Sequence, residues 1–424
     1  MEELLYHVWR HRLYSNPELL CVDGTPIEIL SPGVHNKDAG PDFFNAKIRV
    51  DKTVWVGNVE IHDYASQWYQ HNHDTDKAYD SVILHVVHHS DTTITRSNGQ
   101  DIPQFELQIS PSITTDYHSL RNHSSDEYPC FAVTPQLSPI LISDFVDNLG
   151  IERLQSKAQT YLDMLKRYKG DWEEVFYIIL ARSVGTGINS DAFERLARSI
   201  PRSTWLKHSN SLLQIESLFF GQAGFLSSET IAHSYYIMLR REYSFLSHKF
   251  QLKQLPSVIW RSFRTRPSAF PQIRIAYLCA LLYDHPRLFE ECMKAQTTSQ
   301  ILDLLNVAHS SFWDDHYNFA YASKKGCKRI GRTTLNSILI NAYVPMLYAF
   351  ASYNGNVGLT EKAISILESL PPEDNIYVRH SRNAGIPVRN AFDSQAVIQL
   401  HREYCQKDKC IYCRMGHQFL IRSH

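Results

Sequence analysis

Two carboxylates and a histidine, carried by two consecutive predicted strands, are the side chains of this chain best suited to chemistry. Asp42 follows the turn Gly40-Pro41 and opens one strand, whereas Glu60 and His62 lie near the end of the next. Residues two apart in a strand point to the same face, so Glu60 and His62 should project together. Acidic oxygens beside a group that polarises water suit a hard divalent cation. The pattern therefore predicts a metal-dependent phosphodiesterase whose catalytic residues are Asp42, Glu60 and His62.

The register of the two strands decides whether Asp42 reaches this face. A regular hairpin with the two-residue turn Asp51-Lys52 would turn Asp42 away from Glu60, because directly opposed residues share a face. A bulge, for which Gly57 offers a place, would shift the pairing by one residue and set Asp42 opposite His62. A purely structural interpretation also stays open, in which turn chemistry explains Asp42 and Glu60 is an exposed residue near a strand end.

Length and composition indicate two or three ordinary folded domains, since the chain has 424 residues of which 43% are hydrophobic. Its 43 basic and 44 acidic side chains give a net charge of −1. This balance argues against a protein coated in positive charge but not against a local basic groove. No signal peptide and no uninterrupted apolar run of membrane-spanning length is evident, so we expect a cytoplasmic protein without a membrane partner.

The periodicity of apolar residues predicts an α+β protein. A helix over residues 3–14 precedes strands and one short helix between residues 25 and 109, and the chain is nearly all helical from residue 138. We therefore predict an α/β domain at 1–125, an α-helical domain at 138–404 and a cysteine-containing tail at 405–424. The clearest amphipathic stretches of the helical part are 139–167, 171–183, 191–199, 229–249, 272–283, 333–350, 359–370 and 391–404.

The order helix–strand–strand–strand–helix–strand, with Pro41-Asp42 and Glu60-Ile61-His62 on successive strands, resembles the PD-(D/E)XK nuclease superfamily. The resemblance implies a nuclease-like first domain with a mixed sheet, in which Asp42, Glu60 and the Ile61 carbonyl hold Mg²⁺ or Mn²⁺ and DNA or RNA is cleaved. The N-terminal helix glutamate of some members would be Glu2 or Glu3.

His62 stands where the superfamily has a lysine, and a neutral histidine supplies no permanent positive charge. The alternative to a nuclease is therefore a catalytically inactive nucleic-acid-binding or scaffold protein that keeps the nuclease fold. A structural adaptor that binds another protein through its helical domain is a third interpretation.

A longer block of residues resembles a more specific family. It runs from Gly57-Asn58-Val59-Glu60-Ile61-His62 through Trp68, His71, His73, Asp76 and Tyr79 to Val82-Ile83-Leu84-His85-Val86-Val87. This block looks like the uncharacterised bacterial domain-of-unknown-function family number 2851, and the similarity extends along most of the chain. Membership in that family implies no particular reaction.

Three further histidines, two in a loop and one in a strand, accompany the carboxylates. His71 and His73 lie in the polar loop after the predicted short helix, at a spacing that matches no rigid two-histidine helix site. This loop is either simply solvated or brings a histidine to a phosphate or a second metal near Glu60. His85 lies inside a predicted buried strand, where a hydrogen-bonded core histidine and a catalytic one both remain open.

The C-terminal sequence Cys405-x4-Cys410-x2-Cys413-x3-His417 predicts a second metal site. Three thiols with a nitrogen ligand in reach suit a closed tetrahedral zinc site. The alternative to a metal site is three reduced thiols in a C-terminal tail. A further variant resembles the iron–sulfur nucleases of the same superfamily, in which one cysteine ahead of the nuclease core, here Cys21, joins three near the C-terminus.

Two basic runs in the helical part are where a nucleic-acid backbone would dock. Glycine among basic residues lets backbone N–H groups approach a phosphate closely. Ordinary surface solvation explains such runs equally well. The residues predicted to contact nucleic acid are Arg261, Arg264, Arg266, Lys324, Lys325, Lys328, Arg329 and Arg332.

Overall fold

Two units divide the chain, and each is assembled from segments that are distant in sequence. The computed structural model describes residues 1–36, 38–122, 128–263, 265–326 and 329–422. The first unit comprises Met1–Phe145, His380–Ile386 and Leu400–His424, and the second comprises Val146–Arg379 and Pro387–Gln399. The residues predicted as a separate tail therefore group with the N-terminal ones.

A six-stranded mixed sheet forms the first unit, and its strands run in the spatial order β1-β3-β4-β5-β6, with β2 pairing β3. The pairs β1–β3, β2–β3 and β3–β4 are antiparallel, whereas β4–β5 and β5–β6 are parallel. This arrangement, followed by a largely helical region, confirms the predicted α+β class and its mixed sheet. The strands are β1 (Ile27–Ser31), β2 (Val34–His35), β3 (Phe43–Val50), β4 (Thr53–Tyr64), β5 (Val82–His89) and β6 (Gln104–Glu106).

The helices lie before, within and after these strands. The α-helices are α1 (Glu2–His11), α2 (Gln67–Gln70), α3 (Pro111–Arg121), α4 (Pro139–Arg167), α5 (Trp172–Val184), α6 (Ser190–Ser199), α7 (Arg202–Trp205), α8 (Leu212–Gln222), α9 (Ser234–Phe250), α10 (Pro271–Asp284), α11 (Leu288–Lys294), α12 (Thr298–Leu305), α13 (Arg332–Ile338), α14 (Val344–Tyr353), α15 (Val357–Ser369), α16 (Ile376–Asn383), α17 (Ala391–Gln399) and α18 (Arg414–Ile421). In the first unit, α1 and α2 pack against β4.

A bulge in β3 sets the register of the β3–β4 hairpin. Val50 pairs with Thr53 across the predicted turn, but the pairing shifts by one residue between Phe43 and Ala46. Asn45 has the left-handed backbone angle φ of 57°, which asparagine tolerates better than most residues. The predicted shift thus exists, but it lies in β3 and runs in the opposite direction. Phe43 pairs with Val59, so extending this pairing by one residue sets Asp42 opposite Glu60, whereas the sequence predicted His62.

Gly57 has a different role from the predicted bulge. A Cβ atom at this position would lie 2.3 Å from a methyl carbon of Ile83 and 2.7 Å from the carbonyl oxygen of Ser81. The start of β5 therefore approaches β4 too closely for any side chain at residue 57. This close approach brings the inner half of β4 beside β5, where Glu60 pairs with His85.

The second unit is built on a helical core. Helices such as α5, α8 and α10 bury residues on nearly every side, as expected for helices in the centre of a large bundle. The stretch Arg332–Tyr353, which joins α13 and α14 through a π-helical turn, has the length and apolar character of a membrane span. Because 78% of its most apolar window is buried inside the structure, packing within this unit accounts for its composition.

Candidate metal centre

Asp42 and Glu60 lie side by side at the inner end of the β3–β4 hairpin, where one hydrogen bond joins Asp42 to Glu60 and a second joins it to Ile61. The Asp42 amide donates to Oε2 of Glu60 at 3.0 Å, and the Ile61 amide donates to Oδ2 of Asp42 at 2.9 Å. The bulge in β3 makes these two hydrogen bonds possible, because it turns both carboxylates to one face of the sheet. Ile61 contacts Asp42 through its amide, whereas the sequence predicted its carbonyl as a metal ligand.

Two histidines lie beside the free oxygen of Glu60, and a third lies beside one of them. Nε2 of His73 lies 3.4 Å and Nε2 of His62 lies 3.7 Å from Oε1 of Glu60. Nδ1 of His71 lies 3.2 Å from Nε2 of His62. The ligand nitrogens of the three histidines all lie within 4.8 Å of one another. We call the three histidines and Glu60 the histidine–glutamate centre.

The spacing of these atoms fits a first-row transition metal. Metal–nitrogen bonds of about 2.0–2.1 Å place the ligand atoms of a tetrahedron about 3.3–3.4 Å apart. The separations of 3.2, 3.4 and 3.7 Å scatter around that value. The four side chains could accept a metal ion with only small side-chain movements. Glu60, His62 and His73 are buried, whereas His71 is exposed and marks the side from which solvent reaches the centre.

His85 orients His62 for ligation. Nδ1 of His62 lies 2.8 Å from Nε2 of His85, a residue with no exposed surface. A histidine that binds a metal through one ring nitrogen commonly hydrogen-bonds through the other, which fixes the ring and its tautomer. Burial, together with the neighbouring histidines, lowers the pKa of His62 to about 2. His62 is therefore neutral near pH 7 and offers Nε2 as a ligand.

The two carboxylates are in an environment that opposes their charge. Burial raises the pKa of Asp42 to about 7, and the charge of Glu60 adds to this effect. Burial likewise raises the pKa of Glu60 to about 8. No lysine or arginine side chain forms an ion pair with either residue in the described part of the chain. A bound cation would supply the missing positive charge.

Two tyrosines complete the surroundings, and neither was predicted as a site residue from the sequence. The Tyr6 hydroxyl donates to the Asp42 carboxylate, which links helix α1 to the pair. The ring of Tyr79 stacks on His73 with centroids 3.7 Å apart. Of the two N-terminal glutamates, Glu2 is the one whose charge acts on Asp42 and Glu60. The position of a tyrosine in the sequence does not indicate which side chain its ring or hydroxyl contacts, so only the fold shows these contacts.

A family model described as "Protein of unknown function (DUF2851)" matches residues 2–376. The chain belongs to this family. The predicted membership is thereby confirmed, and the match includes all four residues of the histidine–glutamate centre. No curated protein and no solved structure matches the chain.

The predicted C-terminal zinc ligands of this DUF2851 chain do not all come together. Nδ1 of His417 lies 3.1 Å from Nε2 of His7, and its ring centroid lies 4.3 Å from that of His11. His7 and His11 are one helical turn apart on α1, so both face His417. His417 thus lies in a group of histidines, and another cysteine joins Cys405, Cys410 and Cys413, as described below.

The residues predicted to contact nucleic acid lie in the second unit. Arg264 and Lys328 fall outside the described residues. Arg274, which follows the first run, is buried and its guanidinium donates to the Thr334 hydroxyl at 3.3 Å, so it serves the core. Contact with nucleic acid stays a prediction for the exposed ones, which are Arg261, Arg266, Lys324, Lys325, Arg329 and Arg332.

Proposed function

We propose that the first unit is a metal-dependent phosphodiesterase that acts on nucleic acid. The observation that carries the proposal is the cluster of three imidazole nitrogens, two of which lie within 3.7 Å of the Glu60 carboxylate, next to a second, half-buried carboxylate, Asp42. Buried ionisable groups with strongly shifted pKa values and no fixed counter-charge are typical of functional sites.

The ligand types favour a particular class of metal. Imidazole suits zinc, iron and related transition metals, whereas carboxylates and water suit magnesium and manganese. A centre of three histidines and one glutamate therefore supports Zn²⁺ most strongly. Mn²⁺ comes next, because as a transition metal it accepts nitrogen ligands more readily than Mg²⁺, which keeps oxygen ligands. Of the two ions predicted from the sequence, we retain Mn²⁺.

Some residues around the metal would bind it, and another would take up a proton. A bound metal ion lowers the pKa of coordinated water and stabilises negative charge on a phosphate. Glu60, His62 and His73 would hold it from the buried side, and the exposed His71 would move aside for water or phosphate. Asp42, with a pKa near 7, is suited to take a proton from the attacking water. His62, with both ring nitrogens engaged, would be a ligand and not the base.

The choice of a phosphodiester substrate rests on the resemblance to PD-(D/E)XK nucleases. Helix α1, strands β1, β3 and β4, helix α2 and strand β5 follow the helix and strand order of that superfamily, with the short β2 inserted. By this resemblance, Asp42 and Glu60 would occupy the metal-binding positions of the motif. Exposed basic residues in the second unit add candidate contacts for a phosphate backbone.

A second function is favoured by one observation at the same centre. Four protein ligands around one point can also form a closed structural metal site. The missing lysine points in the same direction, because His62 is neutral. In that case the chain would be a metal-stabilised nucleic-acid-binding or scaffold protein without hydrolytic activity.

The test is hydrolysis by the purified full chain, freed of metal and then supplied separately with Mn²⁺, Zn²⁺ or Mg²⁺. Substrates would be single- and double-stranded DNA and RNA, with bis(p-nitrophenyl) phosphate as a small diester. We expect Mn²⁺-dependent cleavage of at least one nucleic acid, abolished by EDTA. Metal binding without cleavage of any of these substrates would refute the phosphodiesterase and select the scaffold.

A further inference from the structure

Four of the described cysteines lie around one small cavity in the first unit. Cys405, Cys410 and Cys413 come from the C-terminal segment, and Cys130 comes from the 3-10 helical segment Pro129–Gln136. Each of these four thiols is between 5% and 8% exposed. The other residues that line the cavity carry no charge at neutral pH: Phe131, Leu400, Tyr404, Met415 and Gly416.

The local backbone holds the three C-terminal cysteines in consecutive tight turns. The Asp408 amide donates to the Cys405 carbonyl at 3.3 Å, and Asp408 itself is left-handed, with φ of 52°. The Cys413 amide donates to the Cys410 carbonyl at 3.1 Å, immediately before α18 begins. The two turns bring all three cysteines to the wall of one cavity, as in metal-binding loops of the Cys-x2-Cys type, and Sγ of Cys410 donates to the Leu120 carbonyl at 3.6 Å.

Gly416 shows how tightly this loop is packed against α18. A Cβ atom at residue 416 would lie 2.0 Å from the carbonyl oxygen of Cys410. The turn that carries Cys410 and Cys413 therefore lies directly on the first turn of the helix. Helix α18 in turn packs on the Pro129–Gln136 segment, which brings Cys130 to the same cavity.

We propose that Cys130, Cys405, Cys410 and Cys413 together ligate a thiophilic metal centre, either one Zn²⁺ or an iron–sulfur cluster. Four thiolates complete a structural zinc site without any nitrogen ligand. The spacing Cys-x4-Cys-x2-Cys with one distant cysteine is also that of plant-type iron–sulfur proteins. In either form the centre fastens the C-terminal segment to residues 129–136.

This assignment differs from both arrangements expected from the sequence. His417 faces His7 and His11, and Cys21 does not line the cavity, although it is also a buried thiol of the first unit. Solitary buried cysteines such as Cys21 behave as small apolar residues. Four buried thiols that line one small cavity, by contrast, provide the number and type of ligands that a tetrahedral metal site needs.

The experiment uses the full chain, purified without oxygen from cells supplied with zinc and iron. Zinc, iron and acid-labile sulfide are measured in the wild type and in Cys130→Ser, Cys413→Ser and Cys21→Ser. We expect either about one zinc per chain fewer in Cys130→Ser and Cys413→Ser than in the wild type and Cys21→Ser, or a brown wild type whose matching iron and sulfide are lost in the first two variants and kept in Cys21→Ser. Replacing the metal by Co²⁺ should give a sulfur-to-metal charge-transfer band. Such a band would come from the cysteine site, because the histidine–glutamate centre contains no sulfur ligand.

Thiol mapping on the wild type keeps the test decisive if the serine variants do not fold. Alkylation followed by peptide mass spectrometry is compared with and without a strong chelator. The four cysteines should become reactive together on chelation, while Cys21 and Cys279 stay protected. Absence of zinc and iron, a disulfide within the group, or a metal content in both Cys130→Ser and Cys413→Ser equal to that of the wild type would overturn the proposal.

Discussion

Glu60→Gln is expected to lower metal-dependent phosphodiester hydrolysis by about a thousandfold, or ~4 kcal/mol of transition-state stabilisation. Glutamine has nearly the same size and can still accept the hydrogen bond from the Asp42 amide. It lacks the charge that the two histidines and a metal would share at Oε1. Rates should be measured over a range of Mn²⁺ concentrations, so that weaker metal binding is separated from a slower chemical step.

The matched control for this substitution is Glu18→Gln, which changes an exposed glutamate of the same unit. We expect its rate to equal that of the wild type. A Glu60→Gln protein that hydrolyses substrate at the wild-type rate with saturating Mn²⁺ would place the chemistry elsewhere.

The second large effect concerns stability in the absence of metal. The pKa values of Asp42 and Glu60 are raised to about 7 and about 8, so both groups ionise less readily in the folded than in the unfolded chain. Their contribution to stability is full below about pH 4 and is lost as the pH rises toward 8. In EDTA, we therefore expect Glu60→Gln to be more stable than the wild type at pH 8, by about 2 kcal/mol.

Denaturant unfolding at pH 5 and pH 8 measures this difference. At pH 5 the gap between the two proteins should shrink, because Glu60 is then largely neutral in the folded state. Excess Mn²⁺ should stabilise the wild type at pH 8 and leave Glu60→Gln nearly unchanged. A difference in unfolding free energy that does not vary with pH would mean that Glu60 carries no unbalanced charge in the fold.

The strand pattern of the first unit could be predicted because its residues alternate. The six strands lie within the predicted range 25–109, and Val50 pairs with Thr53 across the predicted turn Asp51-Lys52. The position of the bulge could not be predicted, since Gly57 is the stronger signal in the sequence. The bulge includes Asn45 in the left-handed conformation, and nothing in its neighbours in the sequence marks this asparagine.

The candidate site was predicted only in part, for a similar reason. Glu60 and His62 share a face through strand periodicity alone, and the structure confirms this. The loop that follows the four-residue helix α2 places His73 beside Glu60 and His71 beside His62, and a polar loop sequence does not encode that placement. Cys130 is separated from the other three cysteines by most of the chain, so no spacing rule connects them.

Some helices of the second unit were also not predicted. Helix α8 (Leu212–Gln222) is buried along most of its length, including Glu216 and Gln222. A helix buried on all sides lacks the polar stripe from which amphipathic periodicity is recognised. The predicted stretch 139–167, by contrast, coincides with α4 at both ends.

Calorimetric titration of the metal-free chain with Mn²⁺ tests the histidine–glutamate centre most directly, because thiolates have little affinity for this ion. The proteins compared are the wild type, His73→Ala and the control His118→Ala, which alters an exposed histidine of α3. We predict about one equivalent of bound Mn²⁺ in the wild type and in His118→Ala, with affinity at least about a hundredfold weaker in His73→Ala. Equal Mn²⁺ binding by all three proteins, or none by the wild type, would contradict a metal site at Glu60.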